Sequence, residues 1–147
     1  ELLFNHKSRY NNERDLYIYK NLAPGKYLND PKNKKALDKV TYGVKIDEDG
    51  NKVVKGFADK YFKLDPESPS KTIIAHLETD GNSYVHPGDN PRSISPREAA
   101  RIQSFPDWFK FTGSLRKQFH QIGNAVPPIL ASVIAGEIKN ILQKIDS

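Results

Sequence analysis

The clearest hydrophobic pattern along this chain lies near its end, where Ile129, Leu130, Val133, Ile134, Ile138, Ile141, Leu142 and Ile145 recur at intervals of three and four. That spacing gathers them on one face of a helix. Pro127 and Pro128 open it, because a fixed φ and a missing N–H both suit a first helical turn. Upstream, "SPRE" at 95–98 predicts a second helix start. Ser95 is the cap, Pro96 takes the first position and Glu98 reaches back to the cap amide. Ala99, Ala100, Ile102 and Gln103 carry that helix towards "SFPDWF". A short helix follows from Ser114 through Leu115 and Phe119 to Ile122, ended by Gly123. Near the start, Leu16, Ile18, Tyr19 and Leu22 predict an amphipathic helix within 6–22, stopped by Ala23-Pro24-Gly25.

Strand-like segments lie between these helices. "TYGVKI" and "KVVKGF" flank "DEDGN", and "KTIIAHL" and "SYVHP" flank "ETDGN". Asp49-Gly50 and Asp80-Gly81 offer the positive φ of tight turns, so two hairpins are predicted. Asp47, Glu48 and Asp49 have the residue types of a calcium loop but not its spacing, and read as turn chemistry. The lysine-rich stretch "NDPKNKKALDK" at 29–39 reads as a solvated loop or short helix. The fold class that emerges is α+β: a small hairpin-containing region followed by C-terminal helices. The hairpins offer few clean alternating faces, so the stripe on the last helix needs a surface from elsewhere.

Composition narrows the chemistry. At 147 residues and 37% hydrophobic content the chain suits one domain, or one piece of a larger one. It holds no cysteine, which removes disulfides, a thiolate nucleophile and thiolate metal ligands from this chain. The four histidines are scattered and no metal site is expected. A net charge of +5 is compatible with a polyanion. No run approaching about 20 apolar residues, and no secretory signal, is read from the pattern. Methionine is absent even at position 1, so Glu1 is expected to be an internal residue of a longer protein unless processing removed a leader.

Residues 92–109, "RSISPREAARIQSFPDWF", and 121–135, "QIGNAVPPILASVIA", resemble the ninth and tenth sequence motifs of the DNA (cytosine-5)-methyltransferases. "PSKTIIAHLETDGNSYVHP" at 69–87 resembles the end of that family's target recognition domain, and "NHKSR" at 5–9 the stretch after its eighth motif. The likeness spans nearly the whole chain. The family's cofactor loop, its Pro-Cys nucleophile and its Glu-Asn-Val motif have no counterpart here. Cytosine C6 needs a soft nucleophile to make C5 reactive, and a chain without cysteine has none.

The resemblance implies three regions: 1–24 as a linker helix after a catalytic domain, 25–91 as the DNA-recognition region, and 92–147 as helices that complete an S-adenosylmethionine-dependent α/β domain. It implies no catalytic residue in this chain. It places Gln121, Gly123, Asn124 and Ala125 beside S-adenosylmethionine, where Gly123 lets backbone approach a ligand and the amides opening the last helix suit a carboxylate. It places Ser70, Lys71, Thr72 and Ile73 beside double-stranded DNA at the flipped nucleotide. Lys32, Lys34, Lys35, Lys45, Lys52 and Lys55, within roughly 25–70, are further DNA candidates. Arg92 and Arg97 suit either DNA phosphates or a buried carboxylate network, the latter being the stronger reading, while Phe105, Trp108, Phe109 and Phe111 are expected in the core. Implied partners are DNA and a catalytic N-terminal half, on the same chain or a separate subunit, in a bacterial cytoplasm and a restriction-modification system. No membrane role is expected, and the isolated chain is expected to be inactive and to self-associate. The other readings are a non-catalytic DNA- or partner-binding module with a methyltransferase-like tail, and a purely structural domain.

Overall fold

The computed structural model describes residues 3–56 and 60–145. Helix α1 (Glu13–Lys20) is followed by a 3-10 turn (Pro31–Asn33), helix α2 (Lys34–Lys39) and a hairpin of β1 (Val44–Ile46) and β2 (Lys52–Val54). Two more 3-10 turns (Ala75–Glu78 and Gly81–Ser83) lead to α3 (Pro96–Ile102), α4 (Leu115–Gly123) and α5 (Pro128–Ile145). The arrangement is α+β, with the described strands confined to one hairpin.

Two apolar clusters hold it together. One joins α1 and α2 through Ile18, Tyr19, Leu22, Ala36 and Val40, with Tyr61 and Val85 from the loops. Helix α1 starts where Asn12 accepts the Asp15 amide at 2.8 Å. The lysine-rich stretch is more structured than a solvated loop. Asn33 is buried and organises the 23–27 turn, accepting from Ala23 N at 2.7 Å and donating to Tyr27 O at 2.8 Å. Its lysines face out while Ala36 and Val40 face the core.

The first predicted hairpin is present. Val44 pairs with Val54 and Ile46 with Lys52, and Asp47 Oδ1 closes the turn by accepting from Asp49 N and Asn51 N. The second is not. Its span holds the two 3-10 turns, Asp80 has φ −99°, and Gly81 does not take the positive φ that a primed turn requires. The backbone groups there bond to side chains instead of to a partner strand. The Tyr84 hydroxyl donates to Thr72 O at 2.7 Å and accepts from Ile74 N at 3.2 Å, and the Arg9 guanidinium donates to the Leu77 and Glu78 carbonyls.

The second cluster packs that segment against α3 and α4, through Ile73, Leu77, Tyr84, Ala100, Phe119 and Ile122. The N-terminal segment is stitched into it. Asn5, at φ 62°, donates to Phe111 O at 2.9 Å and Gln118 Oε1 at 3.0 Å, and its own carbonyl accepts from Arg97 N. Helix α5 leaves this body with every residue from Ile129 onward exposed. Within Leu115–Ile145 an 18-residue window has a mean hydropathy of 1.3, long and apolar enough by composition to cross a membrane, which the sequence pattern had not suggested. Mean hydropathy measures composition, not continuity: the bend at 124–127 interrupts this stretch, and Glu137 and Lys139 lie within it.

Candidate DNA and cofactor interface

The helix start at 95–98 forms as predicted. Ser95 Oγ accepts from Glu98 N at 3.3 Å, and Glu98 Oε2 accepts from Ser95 N at 2.7 Å. The same carboxylate receives both arms of the Arg92 fork, each at 2.7 Å. Burial alone would raise the Glu98 carboxyl, but the Arg92 bonds and those from Ser95 outweigh it and hold it down at about 2. His86 Nε2 lies 3.5 Å from that carboxylate, yet its pKa is lowered, because burial and the neighbouring Arg92 charge outweigh the attraction. Arg92 is therefore engaged with a carboxylate, the stronger of the two readings of it.

Arg97 corrects the DNA-contact reading. It is 0% exposed, and its guanidinium donates to Phe4 O at 2.9 Å, Pro106 O at 3.1 Å, Phe109 O and Asn5 Oδ1. A planar five-donor fork suits this convergence of oxygens, and no face remains for a phosphate. Ile73 needs the same correction: at 7% exposure its side chain belongs to the core, so only backbone is left to face a nucleotide. Ser70 and Thr72 are exposed. Lys71 is half-buried, its Nζ 5.3 Å from the Phe62 ring centre and 5.1 Å from that of Tyr84. Of the aromatic run, Phe111 is buried and Phe105 partly so, but Trp108 is 75% exposed.

In the 121–125 loop, Gln121 and Asn124 are exposed and Ala125 is half-buried. Gln121 donates to Thr112 O at 3.0 Å, and Asn124 caps α4 by donating its side-chain amide to His120 O at 2.9 Å. Gly123 has a different use from the one expected. A β-carbon there would lie 2.7 Å from Ile74 O and 3.0 Å from Ala75 O, so its bareness serves packing within this chain. The last helix also presents fewer amides than expected. Pro127 and Pro128 have none, and Ile129 N bonds to Ser104 Oγ at 3.2 Å. The exposed carboxamides of Gln121 and Asn124 still provide acceptors at the end of α4.

Sequence reasoning missed the work of Arg9 and Ser104. Besides its carbonyl bonds, the Arg9 guanidinium stacks 4.1 Å from the centre of the Phe119 ring. Ser104, at φ 63°, closes α3: Ser104 N reaches Arg101 O and Phe105 N reaches Ala100 O, a Schellman pattern usually built on glycine. The "NHKSR" resemblance had marked the neighbourhood of Arg9, whereas serine at a glycine-favoured position gives no signal in sequence.

Comparison with known proteins identifies the kin of these motifs. The model of the C-5 cytosine-specific DNA methylases matches residues 3–140. The chain belongs to this family. It is 54% identical over 84 residues to type II methyltransferase M.AgeI of Thalassovita gelatinovora, a match covering 57% of this chain and 19% of that methylase. It is 40% identical over 89 residues to DNA (cytosine-5)-methyltransferase 3 of Arabidopsis thaliana, covering 59% of this chain and 6% of the plant protein. The chain thus spans about a fifth or less of these two relatives. M.AquIB of Picosynechococcus differs: 37% identity over 129 residues covers 79% of this chain and 86% of that type II methyltransferase. Among the described residues, no group of three or more histidine, aspartate or glutamate side chains could hold a metal ion.

Proposed function

We propose that this chain is the DNA-gripping and cofactor-closing part of a bacterial DNA (cytosine-5)-methyltransferase, acting beside a catalytic part that carries the reactive cysteine. The observation that carries this reading is the apolar stripe of α5, exposed along its whole length, on a family member that has no cysteine. Burying one leucine or isoleucine is worth about 1.5–3 kcal/mol, so eight such positions favour a large apolar partner. M.AquIB supports the reading by being a type II methyltransferase of nearly this chain's length.

In this reading the surface of Ser70, Lys71 and Thr72 meets the DNA backbone, where hydroxyl and ammonium donors position phosphates without reading sequence. The 25–70 region, through its exposed Lys32, Lys34, Lys35, Lys45 and Lys55, meets the flanking duplex, whereas Lys52 is bonded to the Asp38 and Val40 carbonyls. Gln121, Asn124 and Ala125 form one wall of the S-adenosylmethionine pocket. When bound, the cofactor supplies the methyl group. The chain's own contribution is to hold DNA and cofactor at a fixed separation while the target cytosine leaves the stack. A type II restriction-modification setting in the cytoplasm goes with this reading, supported by the type II names of the bacterial relatives.

The test is reconstitution. The purified chain and a cysteine-bearing catalytic half are assayed, separately and mixed, for methyl transfer from S-adenosylmethionine to duplex DNA. Each alone is expected to be silent and the mixture active. Silence from a folded mixture, with salt-dependent duplex binding by this chain alone, would instead identify a non-catalytic binding module.

A further inference from the structure

Gly123 sits where the proposed cofactor loop meets the proposed DNA-facing segment. Its φ is not positive, so glycine is needed there for space and not for conformation. The space is taken by the carbonyls of Ile74 and Ala75, which would lie 2.7 and 3.0 Å from an added β-carbon. A side-chain tip could swing away from such a contact. These carbonyls belong to a backbone held from both sides. Tyr84 clamps Thr72 and Ile74 through its hydroxyl, and Arg9 clamps Leu77 and Glu78.

The far side of the joint is held as well. Glu78 Oε2 lies 3.3 Å from Arg116 Nε and 3.5 Å from His120 Nδ1, and the Asn124 amide bonds to His120 O at 2.9 Å. The buried Gln103 carboxamide donates to Ile122 O at 3.2 Å. From Thr72 to Asn124 the contacts are continuous, through tightly packed groups. At Gly123 itself the neighbours are backbone carbonyls and not flexible side-chain tips, so an added β-carbon there must shift backbone.

We infer that Gly123 is a positioning residue which couples DNA binding to cofactor binding, by seating the end of α4 directly on the Ile74 and Ala75 carbonyls. The inference rests on the proposed function, which assigns ligands to the two surfaces. Coupling of this kind is reciprocal: what cofactor binding does for DNA affinity, DNA binding does for cofactor affinity. A methyl group at position 123 pries the joint apart, so each surface can still bind while the two cease to inform each other.

The experiment uses the complete enzyme, this chain together with its catalytic half. Anisotropy of a fluorescein-labelled duplex carrying the sequence that the wild-type enzyme methylates gives the DNA Kd with and without S-adenosylhomocysteine, which binds like the cofactor but cannot transfer a methyl. In the wild type the added ligand is expected to tighten DNA binding by about tenfold or more, and in Gly123→Ala that ratio should fall towards one. Glu78→Gln, which loosens the Arg116 and His120 side of the same joint, should lower the ratio about two- to threefold, and it decides the matter alone if Gly123→Ala does not fold. A folded variant that binds DNA more weakly but keeps the wild-type ratio marks a merely structural glycine and overturns the inference. So does a wild type that binds both ligands independently. A wild type that binds neither ligand overturns the proposed function beneath it, and the inference with it.

Discussion

At the scale of single residues, the arginines show how one side-chain type takes opposite roles. Arg92 and Arg97 lie five positions apart around one helix start. Arg92 keeps partial exposure and closes a bidentate pair with Glu98, whereas Arg97 is sealed among four oxygens from the N-terminal segment and the 106–109 turn. Removing the second guanidinium leaves buried carbonyls without donors, which costs more than the bonds themselves contribute. Arg97→Met is therefore expected to destabilise the chain by about 2–5 kcal/mol in urea unfolding. Arg97→Lys should recover only part of this, since one ammonium cannot span the fork. A loss under about 1 kcal/mol would mean that water reaches these carbonyls.

At the scale of elements, α5 is the anomaly. Its periodicity is the best helix signal in the chain, and it forms, but it packs on nothing among the described residues; Ser104 and Pro127 hold only its first turn. Helices in proteins draw most of their stability from packing an amphipathic face, and this 18-residue helix lacks that contact within the described chain. The isolated chain is expected to self-associate through this face. Changing Ile134 and Ile138 together to Glu should give a monomer by light scattering and, in the mixing assay, lose partnership with the catalytic half. A wild-type chain that is already a clean monomer would count against the face as an interface. The second predicted hairpin carries the complementary lesson. "ETDGN" has the residues of a turn, but Arg9 and Tyr84 bond the backbone that a partner strand would need.

At the scale of the whole molecule, acid stability follows from groups that join separate segments. Glu98 is held at about 2 in the folded chain against an ordinary 4.5, so the folded state binds fewer protons than the unfolded chain between those values. The resulting stability, on the order of 3 kcal/mol, is fully present above 4.5 and is lost as pH falls towards 2. His86 acts in the same direction and earlier. Its lowered pKa means that the unfolded chain takes up a proton first, so stability begins to fall below its ordinary 6.5. The unfolding midpoint is expected to drop in two stages on acidification. Glu98→Gln should flatten the lower stage and deepen the upper one, since His86 loses the carboxylate that favours its charged form, and a midpoint independent of pH between 7 and 3 would refute the assignment of both groups.

The sequence by itself determined what depends on neighbours in the chain: the Ser95–Glu98 capping box, the Asp47–Asn51 turn, the start of α4 and the helical period of α5. It also determined that this chain, which holds no cysteine, offers no thiolate nucleophile of its own. Only the tertiary structure decided which side chains those elements consume. It buried Arg97 and Ile73, turned Trp108 outward, gave Gly123 a packing role against Ile74 and Ala75, and set Ser104 in a left-handed turn. The physical reason is range. Caps and turns are closed by bonds across three or four residues, whereas burial and the partners of a guanidinium are set by segments about ninety residues apart, as Phe4 and Arg97 are.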